Sequence, residues 1–348
     1  MEALVVVVIL GILAGLLLPS VVTTRGASRR SQCAVNTKNL VLAVVQYDLQ
    51  HERLPPHIAS YGRYQPESAV DDGFGIFDRP HEKIGSWPVA LLPWLDAQPT
   101  YEHWTESRYS ILMKDPEDGL DKFHVMASPN LHNFYCPQDP AIQSRGNNSY
   151  IANTGFAFPA TMDPASTRTV VTPNGSSVEL DLAASYATPF GVLGTEYVST
   201  DRYGHAIPKP TGVRMDDFKD GVGFTALISE NIQATSWHQV GFMRPRDYLS
   251  KPGMQPRYDR HARFVNGMVW HDAESTQPVH AINGTFKERG RAGQSDLESL
   301  RLTAASAADL ARPSSMHVDG VNVGFADGST RFILDSIDTK LWWSALTP

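Results

Sequence analysis

The residues whose types and spacing could do chemistry are His317, Asp319 and Asp327. An imidazole and two carboxylates so close along the chain could hold calcium or another cation, or exchange a proton. A structural use is simpler. A histidine ahead of a glycine turn can hydrogen-bond a hairpin backbone, and an aspartate followed by Gly328 can cap its own turn. Residue types alone rank that use first, an ion second and catalysis last. Glu230, within Ser229-Glu230-Asn231, likewise reads as a buried carboxylate in a structural network before it reads as a general acid. The twelve histidines are scattered, and His261, His271, Asp272 and Glu274 lack the spacing of a metal site. The sequence contains no His-Glu-x-x-His pair, no Gly-x-Ser-x-Gly turn and no phosphate-cradling glycine loop, so no catalytic residue is assigned and no enzyme is expected.

The elements that must position these residues are short. Val321–Ala326 and Thr330–Leu334 flank Asp327-Gly328-Ser329, a strong signal for an antiparallel hairpin because Asp-Gly tolerates the positive φ of a tight turn. Strands are expected at Ser149–Ala152, Val192–Val198 and Phe224–Ser229, with short helices at Ser86–Leu95 and near Thr100–Ser107. A terminal helix over Asp335–Ala345 should pack Trp342 and Trp343 down. Trp87, Trp94, Trp104, Trp237 and Trp270 could line a carbohydrate surface, although core packing is the default for such aromatics. A net charge of −7, from 30 basic and 37 acidic side chains, gives no electrostatic reason to expect nucleic acid.

The unbroken apolar sequence lies at the other end. Residues 3–22 carry no charge, and at about 1.5 Å per residue they cover about 30 Å, the hydrocarbon thickness of a bilayer. Pro19 should kink this helix rather than stop it. Beyond it, Leu40, Val41, Val44, Val45 and Tyr47 recur at helical spacing, an amphipathic half for packing on a body. Pro55-Pro56 should end the helix. Cys33 and Cys136 are too few for a disulfide framework and lack the pairing of a zinc site. Two separate buried thiols are the simpler reading. An oxidised pair would staple the helix to the body if that part is exported.

Glu2 stands directly before the apolar run, where an unpaired carboxylate is costly. Glu2, the run that follows, Gly11-Ile12-Leu13-Ala14 and Pro19 together closely resemble the N-terminal helix of type IV pilins and type II secretion pseudopilins. In that family the glutamate neutralises the N-terminal amine of a neighbouring subunit, and the resemblance implies this role for Glu2. It also implies prepilin peptidase as a partner, where a basic leader ending in glycine precedes the residues given. Arg25, Arg29 and Arg30 follow the run and by charge alone would keep that side inside the cell; export of the remainder is implied by the resemblance.

Further islands resemble one bacterial pilin-like family of unknown function with a C-terminal H-x9-DG signature. They are Arg29–Cys33 leading to Asn36 and Leu40, Phe134–Pro140, Ser149–Gly155, Asp220-Gly221 with Ser229–Asn231, and Arg312–Val323. The signature is His317, nine residues, then Asp327-Gly328. The resemblance implies an α+β pilin-like fold, with an N-terminal transmembrane and assembly helix over 1–54 and an exported globular domain over 55–348. It implies a structural or assembly subunit of a pilus-like or secretion apparatus, partnered by other pilin-like subunits, membrane-anchored, with the globular domain periplasmic or extracellular. The alternative is a membrane-tethered binding module for an envelope polysaccharide or for calcium. Secretion pseudopilins bind calcium near the C-terminal end of the fold, which by analogy points to Asp319 and Asp327.

Overall fold

The computed structural model describes residues 2–139, 145–157, 167–171, 177–181, 213–249, 264–271, 282–283 and 311–346. For residues 2–25 it describes the backbone alone, Val6 and Gly11 apart. The expected strand at Val192–Val198 lies outside the described residues.

Helix α1 runs unbroken from Glu2 to His51, with Pro19 inside it. Residues 26–32 are exposed. From Cys33 onward one face turns inward: Cys33, Asn36, Thr37, Leu40, Val41, Ala43, Val44, Tyr47 and Asp48 are all buried, three or four residues apart as a helical stripe requires. Lys38, Asn39 and Gln46 stay outside. The helix stops where Glu52 enters the left-handed region at φ 53°, two residues before Leu54 and the Pro55-Pro56 pair. Among the described residues no helix is long and apolar enough to cross a membrane.

The α1 stripe lies on a five-stranded sheet. Its strands are β5 (Tyr150–Ala157), β8 (Ala226–Glu230), β9 (Gly267–His271), β10 (Gly320–Phe325) and β11 (Thr330–Leu334), in the order β11-β10-β8-β5-β9. The hairpin forms as expected. Gly320 pairs with Leu334 through to Gly324 with Thr330, and Gly328 takes φ 80° at the turn. Every other pairing in the sheet is antiparallel except β5 with β9, which is parallel. Period-2 alternation gives the sheet two buried faces. Tyr150, Ala152 and Ile228 join α1 in one core, while Ile151, Val321, Val323 and Phe325 join Trp342 and Leu346 in the other.

Those last two residues sit on α4 (Thr339–Leu346), four residues later than the sequence suggests. The Asp338 carboxylate accepts the Leu341 N–H at 3.1 Å, and this cap fixes where the helix can begin.

The rest is built on hairpins. β1 (Ile58–Tyr64) pairs with β2 (His81–Ser86), which leads into α2 (Trp87–Leu91) and, after a 3₁₀ turn, α3 (Gln98–Thr105). β3 (Leu112–Lys114) pairs with β4 (Asp121–Phe123), and β6 (Thr167–Val171) with β7 (Ser177–Asp181). Buried Lys83 on β2 donates to the carbonyls of His103 and Glu106, satisfying carbonyls that the C-terminal end of α3 leaves open.

Gly324 sets how closely α1 can approach β10. A Cβ there would run into Val41 Cγ2 and lie 3.2 Å from Thr37 Cγ2. Gly324→Ala is therefore expected to destabilise by about 1–3 kcal/mol through overpacking. Urea unfolding would check this, and a second change, Val41→Ala, should recover part of the loss. A neutral Gly324→Ala would mean that the helix is less tightly seated than this.

Candidate functional site

Among the described residues, two groups of three or more ligating side chains come together: Cys33, Cys136, Glu230 and His317, and Asp72, His103 and His124.

The first group is assembled from four parts of the chain. Cys33 comes from α1 and is bonded to Cys136, with Cα atoms 5.1 Å apart across 103 residues of sequence. Two separate thiols, the simpler expectation, are therefore replaced by one bridge. Cys136 begins a turn, with Pro137 at its first inner position and the Asp139 N–H returning to the Cys136 carbonyl at 3.0 Å, where proline's fixed φ is suited. Around the bridge, Asn36 on α1 donates to the carbonyls of His132 and Tyr135 at 3.0 and 2.9 Å. The Tyr150 hydroxyl donates to the Cys33 carbonyl at 3.3 Å.

Glu230 ends β8 and is fully buried, and His317 precedes β10 and is nearly so. Glu230 Oε2 accepts the Asn322 N–H at 2.7 Å, and Oε1 accepts the Asn322 side-chain amide at 3.0 Å. His317 Nε2 lies 3.0 Å from the same Oε1 and 3.7 Å from Cys136 Sγ. The other ring nitrogen, Nδ1, is 2.8 Å from Gln138 Oε1, and the Gln138 amide nitrogen donates to the Met316 carbonyl at 2.8 Å. That second bond orients the Gln138 amide, so Oε1 must accept, and Nδ1 carries a hydrogen. A proton must then also lie between Nε2 and Oε1, which would otherwise be two facing acceptors.

Asp139 is buried beside this pair. Burial and then the charge of Glu230 push its carboxyl up to about 7 from 3.8, against the pull of the Ser149 hydroxyl. The folded value lies above the unfolded one, so the folded state is penalised fully above pH 7 and hardly at all below about pH 4. Asp139→Asn is accordingly expected to stabilise by about 2–4 kcal/mol at pH 8 and by little at pH 4. Urea titrations at the two pH values check it; equal effects at both would contradict a buried, ionising Asp139.

The second group offers less to a cation. Asp72 Oδ2 lies 3.3 Å from His124 Nε2 and 3.8 Å from His103 Nε2, with the two rings stacked at 5.2 Å. His124 Nδ1 accepts the Met126 N–H at 3.2 Å. A neutral ring held so carries its hydrogen on Nε2, turned to Asp72, and has no lone pair left for a metal. Burial lowers both imidazoles, that of His103 to about 4. The group reads as a structural lock that ties the loop at Asp71–Gly75 to α3 and to the turn after β4.

The sequence candidates separate in the structure. His317 is drawn to Gln138 and Glu230 rather than to the hairpin backbone. Asp327 caps its own turn as expected, accepting the Ser329 N–H at 2.8 Å, and pairs with Arg331. Asp319 is exposed in the left-handed region at φ 63°. Neither Asp319 nor Asp327 joins a group of three or more His, Cys, Asp or Glu ligand atoms among the described residues. Glu230 is spent in a satisfied network. Gly11 is exposed, while the side chains of Glu2 and Pro19 lie outside the description. Trp87, Trp104 and Trp237 are fully buried core residues, with Trp94 partly buried against the same core. Gln138, Asn322 and Asp139 were not foreseen as partners of His317 and Glu230, and nothing local in the sequence marks them. The Asp72, His103 and His124 group was missed for the same reason.

The fold and this buried knot define an α+β protein whose long N-terminal helix is bolted to a mostly antiparallel sheet by a bridge and a histidine–glutamate pair. The chain belongs to the family described as "Protein of unknown function (DUF1559)", whose model matches residues 23–340. No curated protein and no solved structure matches it.

Proposed function

We propose that the chain is a non-enzymatic, pilin-like envelope protein, an assembly subunit anchored by the first half of α1. The observation that carries this is the division of labour along one continuous helix. Residues 2–51 form a single rod; residues 26–32 are exposed and a buried stripe runs from Cys33 onward, while the uncharged residues 3–22 precede that exposed stretch on the same helix and are long enough for a bilayer. Gly11 and Pro19 belong to that segment. In this reading the charge partner of Glu2, at the head of the segment, is supplied by a neighbouring copy. The cystine fits an exported globular part, since such bridges persist in oxidising compartments. A carbohydrate surface draws no support from Trp87, Trp104 and Trp237, which are in the core.

The test is assembly in membranes. The full chain, expressed with a prepilin leader, is expected to be processed and to cross-link into multimers that Glu2→Gln and Glu2→Ala reduce at least tenfold. Unchanged multimers and unchanged detergent extraction in both variants would remove this reading.

A further inference from the structure

The four ligating groups around the bridge have a second way of closing. We infer that in the reduced chain Cys33, Cys136, Glu230 and His317 form a tetrahedral zinc site, so that the same knot is held by a metal before oxidation and by a disulfide after it. This goes beyond the assembly reading and does not depend on it.

The case rests on geometry and on hydrogen count. One ligand atom from each residue lies within 4.8 Å of every other. Opening the S–S bond lets the sulfurs part to about 3.8 Å, the tetrahedral edge that zinc–sulfur bonds of about 2.3 Å require. His317 Nε2 is already 3.0 Å from the Glu230 oxygen and 3.7 Å from Cys136 Sγ, near the spacing of ligands around one zinc. Two thiolates, an imidazole and a carboxylate are a donor set that selects zinc over calcium or magnesium.

The surroundings are those of a metal-binding histidine. Such a ring keeps its other N–H on a fixed acceptor, and Gln138 Oε1, itself locked by the Met316 carbonyl, is that acceptor at 2.8 Å. The cation would take the place of the proton between Nε2 and the Glu230 carboxylate, leaving both Asn322 hydrogen bonds as they are. The burial of all four residues means that the ion enters as the chain folds and exchanges only slowly afterwards, so competition is read at equilibrium.

The steps balance. A phosphine reductant supplies two electrons, two protons are taken up, and the disulfide becomes two thiols. Zinc then binds with loss of both thiol protons and of the proton held at Nε2. Oxidation by a diazene such as diamide removes two electrons from the thiolates, re-forms the S–S bond and expels the ion.

The experiment uses the full chain in detergent, unfolded and refolded with a phosphine reductant and either zinc or cobalt(II) chloride. About one zinc per chain is expected after desalting, and the cobalt form should show a thiolate-to-metal charge-transfer band with a tetrahedral ligand-field pattern. Diamide should release the metal and remove two titratable thiols. Glu230→Gln and His317→Gln should each weaken zinc at least tenfold, as judged by competition with a chromophoric chelator. Any of three results overturns the inference. The first is a reduced wild type that refolds to its native circular dichroism with no more zinc than the double variant Cys33→Ser/Cys136→Ser. The others are failure to regain that spectrum even with zinc, and a cobalt spectrum without the thiolate band.

Discussion

Replacing both Cys33 and Cys136 by serine is expected to lower the free energy of unfolding by about 4–5 kcal/mol. The bridge closes a loop of 103 residues, and in the chain-entropy view a loop of that size constrains the unfolded ensemble by about this much. The serines add to the loss, because their hydroxyls would be buried where the sulfurs were. The expected loss is a large share of the 5–15 kcal/mol typical of a domain. It should not release α1 altogether. Leu40, Val41, Val44 and Tyr47 remain in the core, and burying each contributes about 1.5–3 kcal/mol. Urea unfolding of wild type and variant, with a phosphine reductant and a chelator as a third arm, measures the difference. Reduction in chelator should reproduce most of the serine effect. A change below about 1 kcal/mol in both arms would mean that the stripe alone seats the helix and the bridge is incidental.

What could be read from the sequence is what is local. The turn Asp327-Gly328-Ser329 declares itself because backbone strain and a short side chain act within four residues, and both the hairpin and the Asp327 cap formed there. The α1 stripe declares itself because helical periodicity is a property of neighbours. Its end was marked by Pro55 and Pro56. The terminal helix shows the limit: its start was set by Asp338, one of several polar residues in that stretch that could have capped it. The parallel pairing of β5 with β9 joins Ala152 to Gly267, and nothing in either segment announces a partner so far along the chain. The same holds for the knot. His317 lies 87 residues from Glu230 and 179 from Gln138, so its partners are chosen by how the sheet and the Cys136 turn are stacked. Residue types singled out His317 and grouped it with Asp319 and Asp327, its neighbours in sequence; the fold places Glu230 and Gln138 against it.

Glu230→Ala is the second change expected to have a large effect, a loss of about 3–5 kcal/mol. The carboxylate satisfies three donors at once: the Asn322 backbone, the Asn322 amide and the His317 ring. Removing one member of a buried pair leaves the other uncompensated, which costs more than the pair itself contributes. The β10 backbone N–H would be orphaned as well. Glu230→Gln should cost less. Its amide oxygen can still accept from Asn322, whereas its NH2 can face His317 Nε2 only if that nitrogen gives up its proton. That reasoning makes the pair testable as a unit. In a cycle of Glu230→Gln, His317→Gln and the double variant, the two single losses should exceed the double loss, with a coupling of about 0.5–3 kcal/mol. The cycle belongs in the oxidised protein, where the sulfurs are bonded to each other and only the proton between Nε2 and Oε1 is at stake. Additive losses, or a Glu230→Ala variant within 1 kcal/mol of wild type, would show that His317 and Glu230 are merely adjacent and that the sheet is held together at this point by the bridge alone.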